Sequence, residues 1–141
     1  MCETAVPVDF CWKHYLDLAE DLAKSNTDEA KLRASISRAY YAAFCNARNY
    51  MFNHDGNNFP GNIGEHTYLV QYYKGEADES KTDDLDGTRY SLGKDLDRMR
   101  IDRKRVDYWD YVDKIEKLEK MTIEVLKRSK RVISKIELGG F

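Results

Sequence analysis

Little in this sequence would break a helix or cross-link a chain. Its 141 residues include only two prolines, Pro7 and Pro60, and both fall outside the periodic segments, so helices are free to run long. Three cysteines, Cys2, Cys11 and Cys45, form an odd set without metal-ligand spacing. Reduced thiols are the expectation. No apolar run approaches the length needed to span a bilayer. The start, Met1-Cys2-Glu3-Thr4-Ala5, lacks the basic-then-apolar pattern of a secretory signal. A cytoplasmic protein with no membrane partner is therefore expected. No stretch alternates with period two between turn signals, so no strands are expected. P-loops, glycine-rich dinucleotide turns and metal-ligand clusters are missing too, and His54-Asp55 is too small to make a metal site; neither cofactor nor metal is expected.

A formal net charge of −2 gives no global pull toward nucleic acid, but the charge is unevenly spread. Residues 76–86 are strongly acidic, whereas 114–135 carry many more lysines and arginines than glutamates, which permits a local phosphate-facing surface or simply a solvated helix face. Hydrophobic residues at 42% against 34% charged suit an ordinary globular protein of one domain, residues 1–141.

What is present is helical periodicity. A first helix is expected from about Asp9, a good N-cap, to Lys24, with Trp12, Tyr15, Leu16, Ala19, Leu22 and Ala23 on its apolar face. A second runs from about Asp28 to Asn53. Its stripe is Leu32, Ile36, Ala39, Tyr40, Ala43, Ala47 and Met51, where alanines admit a close neighbour and aromatics supply buried area. Residues 55–62 read as a loop, and a short helix from Glu65 to Tyr73 follows. The last helix is expected from about Asp110 to Glu137, with Tyr111, Ile115, Leu118, Thr122, Val125, Ser129, Val132 and Ile136 inward and Gly139-Gly140 ending it. Cys45 falls inside an apolar pattern as a small core residue.

The fourth helix, from about Leu85 to Val106, is the most informative. Leu85, Arg89, Leu92, Leu96, Met99, Arg103 and Val106 form an alternating four-three seam that should face the core or a partner helix. Arg103 thus stands where an apolar side chain belongs. A guanidinium there keeps its proton and needs an acidic partner, a ligand or a wet cleft. Arg89 shares the phase nearer the helix start, where fraying and snorkelling would account for it.

Two stretches carry a resemblance. Ala34-Ser35-Ile36-Ser37-Arg38-Ala39-Tyr40-Tyr41-Ala42-Ala43-Phe44 resembles the second helix of small bacterial and archaeal HEPN-domain proteins. The segment from Leu96 to Tyr108, with Arg103-Lys104-Arg105-Val106-Asp107-Tyr108 at its end, is similar to their signature at the close of a helix. Glu65-His66-Thr67 and the long last helix fall in the family order, and the likeness covers about residues 10–137. It implies an all-α, up-and-down bundle of four to five helices, commonly a symmetric homodimer. Many family members are metal-independent ribonucleases of toxin–antitoxin, CRISPR-associated and phage-defence systems. Others partner a small nucleotidyltransferase or keep only the fold. The family's catalytic arginine maps to Arg103, and the position of its histidine to Tyr108. The polar position after the arginine is Lys104, and Arg100 would add charge to the cleft.

RNA cleavage through the 2′-hydroxyl needs a proton acceptor, a donor and positive charge at the phosphate. Arginine supplies the charge, whereas a tyrosine with a pKa of about 10 is a poor proton shuttle at pH 7. The remaining histidines, His14, His54 and His66, read as surface or capping residues, and one could replace the missing base only by folding alongside Arg103. Three readings stay open: a metal-independent ribonuclease toxin with Arg103 and Tyr108 in the cleft; a binding module for RNA, a nucleotide, a nucleotidyltransferase or an antitoxin; and a structural helical dimer.

Overall fold

The computed structural model of the chain describes residues 10–84, 86–111, 114–139 and 141, and among them every regular element is a helix. In chain order these are α1 (Lys13–Ala23), α2 (Glu29–Asn53), α3 (Glu65–Lys74), α4 (Thr88–Tyr108) and α5 (Ile115–Leu138). The expected all-α bundle is what forms.

The helix ends show why the boundaries fall where they do. Asp28 caps α2, its carboxylate accepting from the Lys31 N–H at 3.1 Å. Gly75 closes α3 with φ of 80°, a left-handed turn that a side chain would strain. The first turn of α4 is served from the acidic connector. The two carboxylate oxygens of Asp84 accept from the Arg89 and Tyr90 N–H groups at 2.9 and 3.1 Å, satisfying donors that a helix start leaves unpaired. At the other end of α4 a neighbouring helix does the capping. Arg33 of α2 donates Nη1 to the carbonyls of Val106 and Trp109, both at 2.7 Å. This clamp fixes the end of α4, where Arg103 sits, against α2.

Helix α2 is the hub and touches each of the other four. Its stripe of Leu32, Ile36, Ala39, Tyr40, Ala43, Ala47 and Met51 is buried, as expected. Small residues set the close approaches. Ser129 of α5 donates its hydroxyl to the Ala39 carbonyl at 2.7 Å, and Ser35 of α2 donates to the Ala19 carbonyl of α1 at 2.6 Å. Gly93 of α4 lies against α3 so closely that a Cβ there would meet the Lys74 backbone nitrogen at 2.9 Å. The α4 seam from Arg89 to Val106 is buried throughout, including both arginines.

Some expectations need correction. Tyr111 is not on the inner stripe: α5 begins at Ile115, and Tyr111 is exposed in the connector before it. Helix α1 begins at Lys13 rather than near Asp9, and Asp9, Leu85, Gly140 and Cys2 lie outside the described residues. Cys45 is a free buried thiol whose pKa burial pushes up to about 11, but Cys11 is disulfide-bonded, against the expectation of reduced thiols.

Arg89 is the largest correction. It neither frays nor snorkels. It pairs with Asp55 from the loop after α2 at 2.8 and 3.0 Å, and the two side chains are 4% and 1% exposed. Tyr72 donates to the same carboxylate at 2.7 Å, and Arg89 also donates to the Phe141 carbonyl at 3.2 Å. Burial alone would raise the Asp55 pKa. Hydrogen bonds from Arg89, His54 and Tyr72, with the Arg89 charge, outweigh it and bring the carboxyl down to about 2.

Candidate functional site

Arg103 lies on the inward seam of α4 between Met99 and Val106 and is 7% exposed. Its guanidinium carbon stands 5.4 Å from the ring centre of Tyr40 and 5.5 Å from that of Tyr41. Both distances suit cation–π attraction. Asp107, one turn on, faces Nη1 at 3.5 Å and takes a long hydrogen bond from Ser37 at 3.4 Å. The Nε atom is buried without a hydrogen-bond partner. Asp102, the other flanking carboxylate, is turned away from Arg103 by about a quarter of the helix and faces Arg98 at 3.6 Å and Arg105 at 3.8 Å. Burial pushes its pKa up, against the pull of Arg98, Arg105 and Arg128. Arg103 is therefore held by two aromatic faces and one long ion pair. Arg89, on the same seam, has a bidentate partner at full hydrogen-bond strength.

His66, at the start of α3, belongs to this cluster. Its ring stacks on Phe44 at 4.2 Å and on Tyr40 at 5.6 Å, and its Nδ1 shares a 2.6 Å hydrogen bond with the Tyr40 hydroxyl. Burial lowers the His66 pKa, and the charges of Arg103, Arg100 and Lys104 lower it further, to about 4. The imidazole is neutral at pH 7. With Nδ1 engaged by Tyr40, Nε2 is the nitrogen left for a ligand. Burial raises the Tyr40 pKa well beyond its ordinary value, opposed only in part by Arg103 and Arg100, so the phenol stays protonated.

Of the four residues expected at the site, three share this environment. Arg103 anchors it. Arg100, one turn earlier, makes a 3.3 Å contact with Asp97, yet its Nε is also buried and unpartnered. Lys104 is exposed on the next position, and its charge reaches His66. Tyr108 is different: it is 73% exposed at the last turn of α4, and among the described residues it makes no hydrogen bond or ring contact with Arg103. Sequence reasoning missed Tyr40, Tyr41 and His66 as site residues. Tyr40 and Tyr41 were in view within the α2 stretch, since the two stretches that carry the resemblance pack against each other here. His66 read as a surface or capping histidine; it is instead half-buried against Phe44 and Tyr40, a place that depends on how α3 docks.

The donor set is cationic, aromatic and part-desolvated, which suits an anion with a planar or ring-bearing body. Among the described residues no group of three His, Cys, Asp or Glu could hold a metal ion. Compared with protein-family models, curated proteins and solved structures, the chain finds no match in any of the three.

Proposed function

We propose that the chain is a HEPN-like module that binds the phosphate of RNA or of a nucleotide at Arg103, with Arg100 and Lys104 as supporting cations. The observation that carries the reading is the weak pairing of Arg103, which faces only Asp107 at 3.5 Å where Arg89 on the same seam has a bidentate carboxylate, with Arg100 one helical turn away; like the Nε of Arg89, the Nε atoms of both are buried without a partner. A buried guanidinium donor without an acceptor costs free energy. A phosphate oxygen is the acceptor whose charge and geometry fit two such donors. The module works as a homodimer, with a nucleotidyltransferase or antitoxin as a further partner. The exposed aromatics Tyr108, Trp109 and Tyr111 around the end of α4 are the groups this association would cover.

The test is binding of labelled RNA and of nucleotides in EDTA. Arg103→Ala should weaken both at least tenfold, and Arg103→Lys should restore part, because lysine keeps the charge but loses the fork. Equal binding by wild type and Arg103→Ala contradicts the reading.

His66 favours a second reading, a metal-independent ribonuclease. With a pKa of about 4 the imidazole is as far from pH 7 as a tyrosine is, so this reading requires the negative charge of a bound phosphate to offset the nearby cations and raise the His66 pKa toward neutrality. Under this reading total RNA is cut in EDTA, and His66→Gln abolishes cutting while Tyr108→Phe spares it. Intact RNA after prolonged incubation with the wild type rules the reading out.

A further inference from the structure

Next to the Arg103 cluster, α1 and α2 enclose an open groove of about 410 Å³. Its walls are aromatic, from Trp12 at the N-cap of α1, Tyr15 of α1, and Tyr41 and Phe44 of α2. Two arginines, Arg38 and Arg48, line it at helical spacing on the same side of α2. Their guanidinium carbons sit over rings: Arg38 at 4.9 Å from Tyr15 and 5.8 Å from Tyr41, and Arg48 at 5.6 Å from Trp12. Among the described residues neither has a carboxylate within ion-pair distance. Arg48 donates Nε only to the amide oxygen of its neighbour Asn49, at 3.0 Å. Arginine on an aromatic face is by itself an ordinary contact; what distinguishes this groove is two such arginines without a carboxylate partner among the described residues, lining one open aromatic-walled space.

Tyr41 joins the two regions. Its ring is 5.8 Å from the Arg38 guanidinium on the groove side and 5.5 Å from the Arg103 guanidinium on the other. One aromatic wall thus separates a cation in an open groove from a cation in the desolvated cluster. The pattern matches a polynucleotide strand, in which each base is flanked by phosphates. Aromatic faces take bases without regard to sequence, and arginines track the backbone.

We propose that this groove is a base-stacking subsite, and that the ligand of the Arg103 site is a single-stranded polynucleotide rather than a free mononucleotide. One phosphate sits at Arg103, the adjoining base stacks in the groove against Trp12 and Tyr41, and the next phosphate meets Arg38 and Arg48. This rests on the phosphate reading of Arg103 and adds to it the class of ligand. A duplex, whose bases are already stacked on one another, does not fit.

The test uses the full chain with Trp109→Phe, which leaves Trp12 as the one tryptophan emitter. Probes are uridine and adenosine monophosphates, tetramers of each as RNA and as DNA, and a blunt RNA duplex. The expected result is that tetramers quench Trp12 fluorescence and bind more tightly than the monophosphates, while the duplex does neither. Trp12→Ala, read by anisotropy of labelled tetramer, should weaken tetramer binding by roughly ten- to a hundredfold, the range of one lost stacked base. Arg48→Gln and Arg38→Gln should each lower the salt slope of tetramer binding by about 0.7, one phosphate contact on a single strand.

RNA and DNA tetramers binding alike supports a groove that reads base and phosphate only. RNA binding alone also supports it and adds a contact to the 2′-hydroxyl. Tetramers that bind through Arg103 with no Trp12 quenching, and with wild-type affinity in Arg48→Gln and Trp12→Ala, overturn the groove and leave the phosphate site standing. Probes that bind to neither wild type nor Arg103→Ala overturn both.

Discussion

Arg89→Ala removes the guanidinium that faces Asp55 inside the fold. The carboxylate is 1% exposed, so water cannot replace the lost partner. Two donors remain, the Tyr72 hydroxyl at 2.7 Å and His54 Nδ1 at 2.9 Å, and they keep the cost toward the lower part of the range for breaking a buried pair, about 3–4 kcal/mol. For a chain of this length each kcal/mol moves the melting temperature by roughly 3–4 °C, so a drop of about 10–15 °C is expected. Arg103→Ala provides the contrast. Its partner Asp107 has a side chain 30% exposed and stays hydrated when the guanidinium leaves. The loss is two cation–π contacts of about 0.5–1 kcal/mol each plus some packing of the buried stem, with no buried carboxylate left unpaired; each variant also removes one unsatisfied Nε, which cancels between them. That predicts a drop of a few degrees. Melting followed by circular dichroism at pH 7 decides the matter. Equal shifts in the two variants, or an Arg89→Ala shift under about 3 °C, would refute the claim that one arginine is structurally committed and the other is not.

Asp102 and Asp55 should respond to neutralisation with opposite signs. Burial raises the Asp102 pKa, so its charge costs stability above that pKa, and Asp102→Asn should leave the melting temperature unchanged or raise it; Asp55→Asn should lower it. His66 titrates in the fold at about 4, below its ordinary value of 6.5, so the unfolded chain takes up its proton first. Stability present above pH of about 6.5 is therefore lost as pH falls toward 4, and His66→Gln should flatten that part of the melting profile; an unchanged profile contradicts the placement of His66 among cations. Losses traceable to Asp55 begin only below its ordinary 3.8, which keeps the two windows apart. Light scattering at tens of micromolar should give twice the 16.5 kDa chain mass, and a monomer mass counts against the homodimer.

The bundle was legible because burial follows a strict period. The seam on α4 from Arg89 on, the stripe on α2 and the α5 stripe from Leu118 on name positions that are buried, while Ile115 is half-buried, since a helix can hide only one side at a time. Individual side chains on that seam were less legible. Arg89 and Arg103 look alike as intrusions in an apolar repeat, and only tertiary structure separates them: Asp55, 34 residues away, swings under Arg89, while Arg103 meets the rings of Tyr40 and Tyr41. Tyr111 fitted the period of α5 but falls before its start, where periodicity carries no information about whether the chain has yet become helical. His66 read as a surface or capping residue that could matter only by folding alongside Arg103, and it does so; its neighbours come from α2 and α4, and no local pattern announces a docking contact. Arg38 and Arg48 were visible as charges at helical spacing, and the groove they line appears only once α1 lies across them.

The central claim is that Arg103 is a ligand-binding residue rather than a fold-holding one. Its most direct test pairs melting of wild type and Arg103→Ala with binding of each to labelled single-stranded RNA at two salt concentrations. The account predicts a melting temperature within a few degrees of wild type, at least a tenfold loss of affinity, and a shallower salt dependence in the variant. A large fall in melting temperature, with no RNA bound by either protein at low salt, would make Arg103 a structural residue and contradict the account.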